Sequence, residues 1–135
     1  MQRELKFRAY HLVDKKYVPI IGFDLEHADY VIRIEGTPAI VPMKVLNVQQ
    51  STGLKDKQGK EIYEGDYIKC TGGLWLNDYP KKGQIIFNKH CASFVMRGKN
   101  SCGVFMNMSL GFSDGTEIEV IGNIYENPEL SQDVS

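Results

Sequence analysis

No stretch of this chain approaches the roughly 18 consecutive apolar residues that a membrane-spanning helix requires. The opening Met1-Gln2-Arg3-Glu4-Leu5-Lys6 lacks the apolar core of an export signal. Cysteine is scarce and odd in number: Cys70, Cys91 and Cys102, with no two in C-x-x-C spacing. That argues against a disulfide framework and for a reducing, cytoplasmic compartment. A large charge imbalance is missing too: 16 basic residues face 17 acidic ones, so the chain as a whole has no electrostatic pull toward nucleic acid or an anionic membrane. There is no internal repeat, no low-complexity tract and no G-x-G-x-x-G run.

What remains is an average globular composition, 42% hydrophobic and 24% charged over 135 residues, enough for a core without a disulfide or metal staple. Strand patterns dominate. In Leu5-Lys6-Phe7-Arg8-Ala9 the apolar residues share one parity, and Tyr30, Ile32 and Ile34 do the same. Further strands are expected at 17–21, 44–49, 67–70, 84–88, 93–97 and 117–125, with at most one helical turn over 24–28. Asp56-Lys57-Gln58-Gly59 has Asp first and Gly last, the signature of a type I turn. The 100–113 region has no clear pattern, and the tail 131–135 is expected to fray. Many short strands separated by glycine-marked turns predict a mainly β chain built as a small antiparallel barrel or sandwich.

Three runs carry a resemblance to a known family. They are Gln50-Ser51-Thr52-Gly53-Leu54-Lys55-Asp56-Lys57-Gln58-Gly59-Lys60-Glu61-Ile62-Tyr63-Glu64-Gly65-Asp66-Tyr67-Ile68-Lys69, then Val120-Ile121-Gly122-Asn123-Ile124-Tyr125-Glu126-Asn127-Pro128-Glu129-Leu130, and the opening Glu4-Leu5-Lys6-Phe7-Arg8-Ala9-Tyr10. Together they resemble the YopX family, small proteins of bacteriophages and prophages with no settled function. The resemblance implies an SH3-like barrel for the C-terminal portion and a bacterial host cell as the setting. The order Gly65-Asp66-x-Ile68, a long loop, then Gly83-x-Ile85-x-Phe87 also resembles the first hairpin of such barrels. The expected organisation is an N-terminal β extension over 1–44, an SH3-like barrel over 45–130 and the tail.

Chemistry is sparse. Gly53 to Glu61 has the flavour of a phosphate-binding loop, but five residues separate its glycines instead of four, and Glu61 stands where Ser or Thr would hold magnesium. The candidate metal ligands His11, His27, His90, Cys70, Cys91 and Cys102 show no zinc-type spacing, and His90 and Cys91, being adjacent, point to opposite sides of a strand. The same geometry keeps His90 from serving Cys91 as a catalytic base. Glu117 and Glu119 share a strand face, which suits either acid–base work or plain solvation opposite Ile118 and Val120. The reading is therefore of a protein that is not an enzyme and needs no metal or cofactor.

Charge layout says more than charge total. From Tyr79 to Ser113 there is no acidic residue, while Lys81, Lys82, Lys89, Arg97 and Lys99 are basic; from Asp114 to Ser135 there is no basic residue but six acidic ones. Tyr79, Phe87 and Phe94 are interleaved with the basic residues. Basic side chains among aromatics suit a surface that tracks a phosphate backbone and stacks bases. Two plainer readings compete. Phe87 and Phe94 share parity with the core residues Ile85 and Met96, and the basic hairpin can pair with the acidic last strand, within the fold or across a subunit contact. Trp75, with Leu74, Leu76 and Tyr79 in a Gly-rich loop, either plugs the barrel or anchors a partner. The signature run reads as a recognition loop or, with Gly53, Gly59 and Gly65 six residues apart, as a double turn that positions two strands. The expected activity is binding to a phage or host protein or to a second copy of the chain, with no membrane involved. The alternative is nucleic-acid binding by the basic aromatic segment 79–99.

Overall fold

The computed structural model describes residues 4–73, 78–110 and 117–131. The chain is mainly β, as its alternation requires. Among the described residues twelve strands follow one another: β1 (Phe7–His11), β2 (Lys16–Val18), β3 (Ile20–Asp24), β4 (Asp29–Ile34), β5 (Thr37–Pro42), β6 (Leu46–Lys55), β7 (Glu61–Tyr63), β8 (Asp66–Thr71), β9 (Lys82–Asn88), β10 (Ser93–Lys99), β11 (Phe105–Ser109) and β12 (Glu117–Asn123). Two single 3-10 turns, Met43–Val45 and Pro128–Leu130, are the helical elements described with them. No helix among the described residues is long and apolar enough to cross a membrane. The chain divides into two compact units, Met1–Ser51 and Thr52–Ser135, and the division falls inside β6.

In the first unit β1 pairs antiparallel with β2 and with the opening of β6, while β3, β4 and β5 form a three-stranded antiparallel sheet. Its core is Ala9, Val18, Ile32 and Leu46, with Ile20, Tyr30, Ile34, Ala39 and Val41 packed against them. The parity expected for Tyr30, Ile32 and Ile34 holds. The inward set expected for the first strand holds only at Ala9: Phe7 is 47% exposed and Leu5 lies outside the strand, because β1 meets β2 only from Ala9 onward. The strand expected over 17–21 is broken at Pro19, which has no N–H to give a ladder. The segment expected as a helical turn is a tight turn in which Asp24 Oδ1 accepts the N–H groups of Glu26 and His27. The His27 ring, with Nδ1 3.0 Å from Asp24 Oδ2, and then these two backbone donors hold the Asp24 carboxyl below its ordinary range.

The second unit is built on a five-stranded antiparallel sheet in the order β11-β10-β9-β8-β12. Strands β8 to β11 form a meander, and β12 returns to the far side of β8. One face carries the core, Ile62, Ile68, Cys70, Ile85, Met96, Met108 and Leu110, with Phe94, Ile118 and Val120 against it. Completely buried residues such as Ile62, Ile68 and Ile85 each contribute about 1.5–3 kcal/mol in burial terms. Phe87 keeps the inward parity and stacks edge-to-face on Phe94 at 5.4 Å, yet it is 49% exposed. It lies near the β9–β10 turn, beyond the reach of the core. The unpatterned 100–113 region contains β11 and a turn closed by Asn100, whose Oδ1 accepts the N–H groups of Cys102 and Val104. Residues 111–116 and, apart from Ser131, the tail expected to fray lie outside the described residues.

Candidate functional site

The structure gives the signature run a mechanical role. The expected type I turn is present: the Gly59 N–H donates to the Asp56 carbonyl at 3.0 Å, and Gly59 adopts φ 83°, a conformation that suits glycine. Asp56 Oδ1 accepts the N–H groups of Gln58 (2.9 Å) and Lys60 (2.8 Å), while Oδ2 accepts that of Val120 on β12 (3.1 Å). Beside it the Lys57 N–H donates to the Ile118 carbonyl at 2.9 Å. The turn therefore binds backbone groups on the outer side of the edge strand β12, groups that would otherwise offer a pairing template. Burial alone would raise the Asp56 pKa, but the three backbone donors and the Lys60 charge outweigh it, and the net shift is downward. A shallow groove of about 310 Å³ beside the turn is lined by Leu54, Lys55, Asp56, Lys57, Leu110, Glu117 and Ile118.

The second face of the five-stranded sheet is different in kind. Residues paired directly across neighbouring antiparallel strands project to the same face. Glu119 on β12 is paired with Lys69 on β8, Lys69 with Lys82 on β9, and Lys99 on β10 with Phe105 on β11. The β9–β10 register, Arg97 across from Gln84, places Lys99 across from Lys82 when carried one step further along that face. One row thus crosses all five strands: Glu119, Lys69, Lys82, Lys99, Phe105. Neighbouring strands are about 4.8 Å apart, so the row from Lys69 to Phe105 is about 14 Å long. The three lysines are exposed and Phe105 is 44% exposed. Arg97, two residues from Lys99, joins the row: its guanidinium carbon lies 4.9 Å from the Phe105 ring centroid and the Lys99 ammonium 5.0 Å. These are cation–π distances.

Gly98 shapes this end of the sheet. A Cβ there would come within 2.8 Å of Pro80 Cβ and would also strike the Lys82 carbonyl. Glycine lets Pro80 lie against β10 and lets β9 and β10 approach closely.

Of the residues singled out in the sequence, the row gathers Lys82, Arg97 and Lys99. Lys81 and Tyr79 are exposed just before β9, and the Lys81 carbonyl accepts the Cys70 N–H. Lys89 lies in the turn at the opposite end of β9, seven residues from Lys82 and so about 24 Å away along the strand. Trp75 lies outside the described residues. Lys69 and Phe105 escaped the sequence reading. Lys69 sits in the signature run, away from the acid-free segment, and Phe105 belongs to the stretch with no legible period. Only register brings them to the row. Register also bears on the pairing expected between the basic hairpin and the acidic last strand. Within the chain β8 lies between them: Glu119 is opposite Lys69 and 3.5 Å from the Lys57 ammonium.

The remaining titratable groups are dispersed. Among the described residues no three of His, Cys, Asp and Glu gather as a metal site would require. The Cys70 thiol, wholly buried beside Met96, is pushed up to about 11 by burial. Cys91 and Cys102 are exposed in turns, and Cys91 Sγ lies 3.0 Å from Ser93 Oγ.

Comparison with known proteins matches the family model described as YopX protein over residues 6–132, and the chain belongs to that family. It is similar to protein EF1440 from Enterococcus faecalis, known from a crystal structure, with 28% identity, 96% of this chain and 99% of that one covered, and a TM-score of 0.45. No curated protein matches it.

Proposed function

We propose that this YopX-family chain is a non-enzymatic binding protein whose working surface is the Lys69–Lys82–Lys99–Phe105 row with Arg97, and that its ligand is nucleic acid. The observation that carries this reading is the register. Lys82 is paired with Lys69 on β8, and the β9–β10 register, continued past its Arg97–Gln84 pair, brings Lys99 to its other side; like charges placed opposite one another weaken a sheet. A polyanion laid across the row turns that repulsion into attraction. Glu119 stands between Lys57 and Lys69, so the only acid in the row is occupied at its far end.

The non-enzymatic part of the proposal rests on the cysteines. Cys70 is held protonated at neutral pH, and among the described residues the exposed Cys91 and Cys102 lie in turns. We read the second unit as an SH3-like barrel, since a four-strand meander whose fifth strand returns beside the first is the order that fold uses. The setting that goes with this reading is the cytoplasm of a phage-carrying bacterium, in keeping with three free cysteines.

The test is binding to random single-stranded and duplex oligonucleotides across a salt series. Four cations at the row give a slope of log K against log salt of about −3 for single strands and about −3.6 for duplex. No binding at low salt, or affinity indifferent to salt, would sink the proposal.

A second reading rests on a separate observation in the first unit. On the outer face of the β3–β5 sheet, Gly22, Val31 and Ile40 form a cross-strand row, with Ile40 66% exposed and Ile21 44% exposed nearby. An exposed apolar row of this kind suits a protein contact, with a second copy or a phage or host protein. Light scattering decides the self-association case: Ile40→Lys should convert an oligomer to monomer, and a wild-type chain that is already monomeric leaves only a foreign partner for this face.

A further inference from the structure

We infer that the strand bound at the basic row is single, and that the Phe105 ring holds one of its bases by stacking. The inference rests on the nucleic-acid reading above and adds the class of ligand. The row is asymmetric. It ends in a carboxylate on β12 and in an aromatic ring on β11, with three lysines between. A duplex lying on the face would present phosphates to the lysines, but its bases are stacked on one another and leave the ring nothing to receive. A single strand offers both groups at once, a phosphate chain for the lysines and an unstacked base for the ring.

The surroundings of Phe105 fit that use. The ring is 44% exposed although it belongs to a strand whose Met108 is buried on the other face. Among the described strands the sheet order ends at β11, so the ring stands at the margin, where a strand leaving the row can turn its base outward. Arg97 and Lys99 both approach the ring at cation–π distance, which fixes their charge beside the aromatic surface. A base stacking on the ring lies beside these cations or takes the place of one of them, so that an aromatic surface and a cation are met together, as in single-strand binders that do not read sequence. The length agrees as well. About 14 Å from Lys69 to the ring makes this a short site that spans only a few nucleotides. The expected preference is for unpaired strands of any sequence, with modest favour for flexible pyrimidine runs.

The experiment compares three labelled probes at low salt: single-stranded oligothymidylate, a duplex of the same length, and a single strand whose sites are abasic. The expected order of affinity is oligothymidylate first, with the duplex and the abasic strand weaker. Phe105→Ala should weaken oligothymidylate binding about 5- to 150-fold, the loss of one stacked base, and leave the salt slope unchanged. Phe105→Leu, which keeps an apolar side chain on β11, should lose nearly as much and guards against a folding defect in the alanine variant. Equal binding of all three probes, or full affinity in Phe105→Leu, overturns the single-strand inference and leaves the charge-based reading standing. Failure of every probe to bind overturns both.

Discussion

Asp56 and Val120 are joined across 64 residues of sequence by a single carboxylate oxygen, Oδ2 accepting the Val120 N–H at 3.1 Å. The other oxygen of the same carboxylate closes the signature turn on Gln58 and Lys60. One side chain therefore shapes a local turn and fastens it to the edge strand of the sheet. Asp56→Ala removes an ionised acceptor from three backbone donors and should destabilise the protein by about 2–4 kcal/mol in urea unfolding. Asp56→Asn is the sharper test. Its amide oxygen can still serve Gln58 and Lys60, but its NH₂ group would confront the Val120 N–H, donor against donor. A loss in Asn as large as in Ala assigns the stability to the β12 bond. An Asn variant as stable as wild type would refute that assignment.

The depressed Asp56 pKa gives this tie a pH dependence of definite sign. The folded state prefers the charged form, so the unfolded state binds the proton more readily. The contribution is fully present above the ordinary carboxyl value of 3.8 and is lost as pH falls through the lower folded value. Denaturant midpoints measured from neutral pH downward should hold until the ordinary carboxyl range and then decline. In Asp56→Asn the acid decline should be shallower. Equal acid declines in the two proteins would mean that other carboxylates carry the effect.

How much of this could be read from the chain depends on which distance the physics spans. The Asp56–Gly59 turn was legible because its determinants are four neighbours: an acceptor at the start, a positive φ at the end. The mainly β character and the inward parity of Tyr30, Ile32 and Ile34 were legible because alternation is local. Phe7 and Phe87 show where parity stops being enough. Both lie on the predicted side of their strands, but the core ends before it reaches them. The basic row was half visible. Lys82, Arg97 and Lys99 stood out because no acid interrupts their segment. Lys69 and Phe105 did not, because what places them beside the others is the register of β8 on β9 and of β10 on β11. Register is a property of pairs of strands, and no window on one strand contains it.

The three thiols should separate cleanly. Cys91 and Cys102 are exposed, whereas Cys70 is buried beside Met96 and pushed up to about 11. Thiolate is the reactive form, so a disulfide reagent at neutral pH should titrate two thiols promptly in the native protein and the third only with unfolding. Three fast thiols would show that the β8 core opens readily. Oxidised material should contain no bond to Cys70.

The basic row makes a prediction that a merely structural surface would not. Lys82→Glu places a carboxylate across from Lys69 and, by continuation of the β9–β10 register, beside Lys99, so that repulsion becomes attraction. The variant should be more stable than wild type by about 0.5–1 kcal/mol at low salt, and salt should erase the gain. The same change should abolish the nucleic-acid affinity proposed for the row. Lys89→Glu serves as the control, because it makes the same charge change at the opposite end of β9. It should alter neither stability nor the salt slope by more than a small fraction of the Lys82 effect. A surface shaped only by folding would trade no stability for its charge pattern, and Lys82→Glu would then be neutral or harmful. Stability rising while binding falls is the signature of a residue kept for a ligand rather than for the fold, and only the paired measurement on Lys82→Glu and Lys89→Glu can display it.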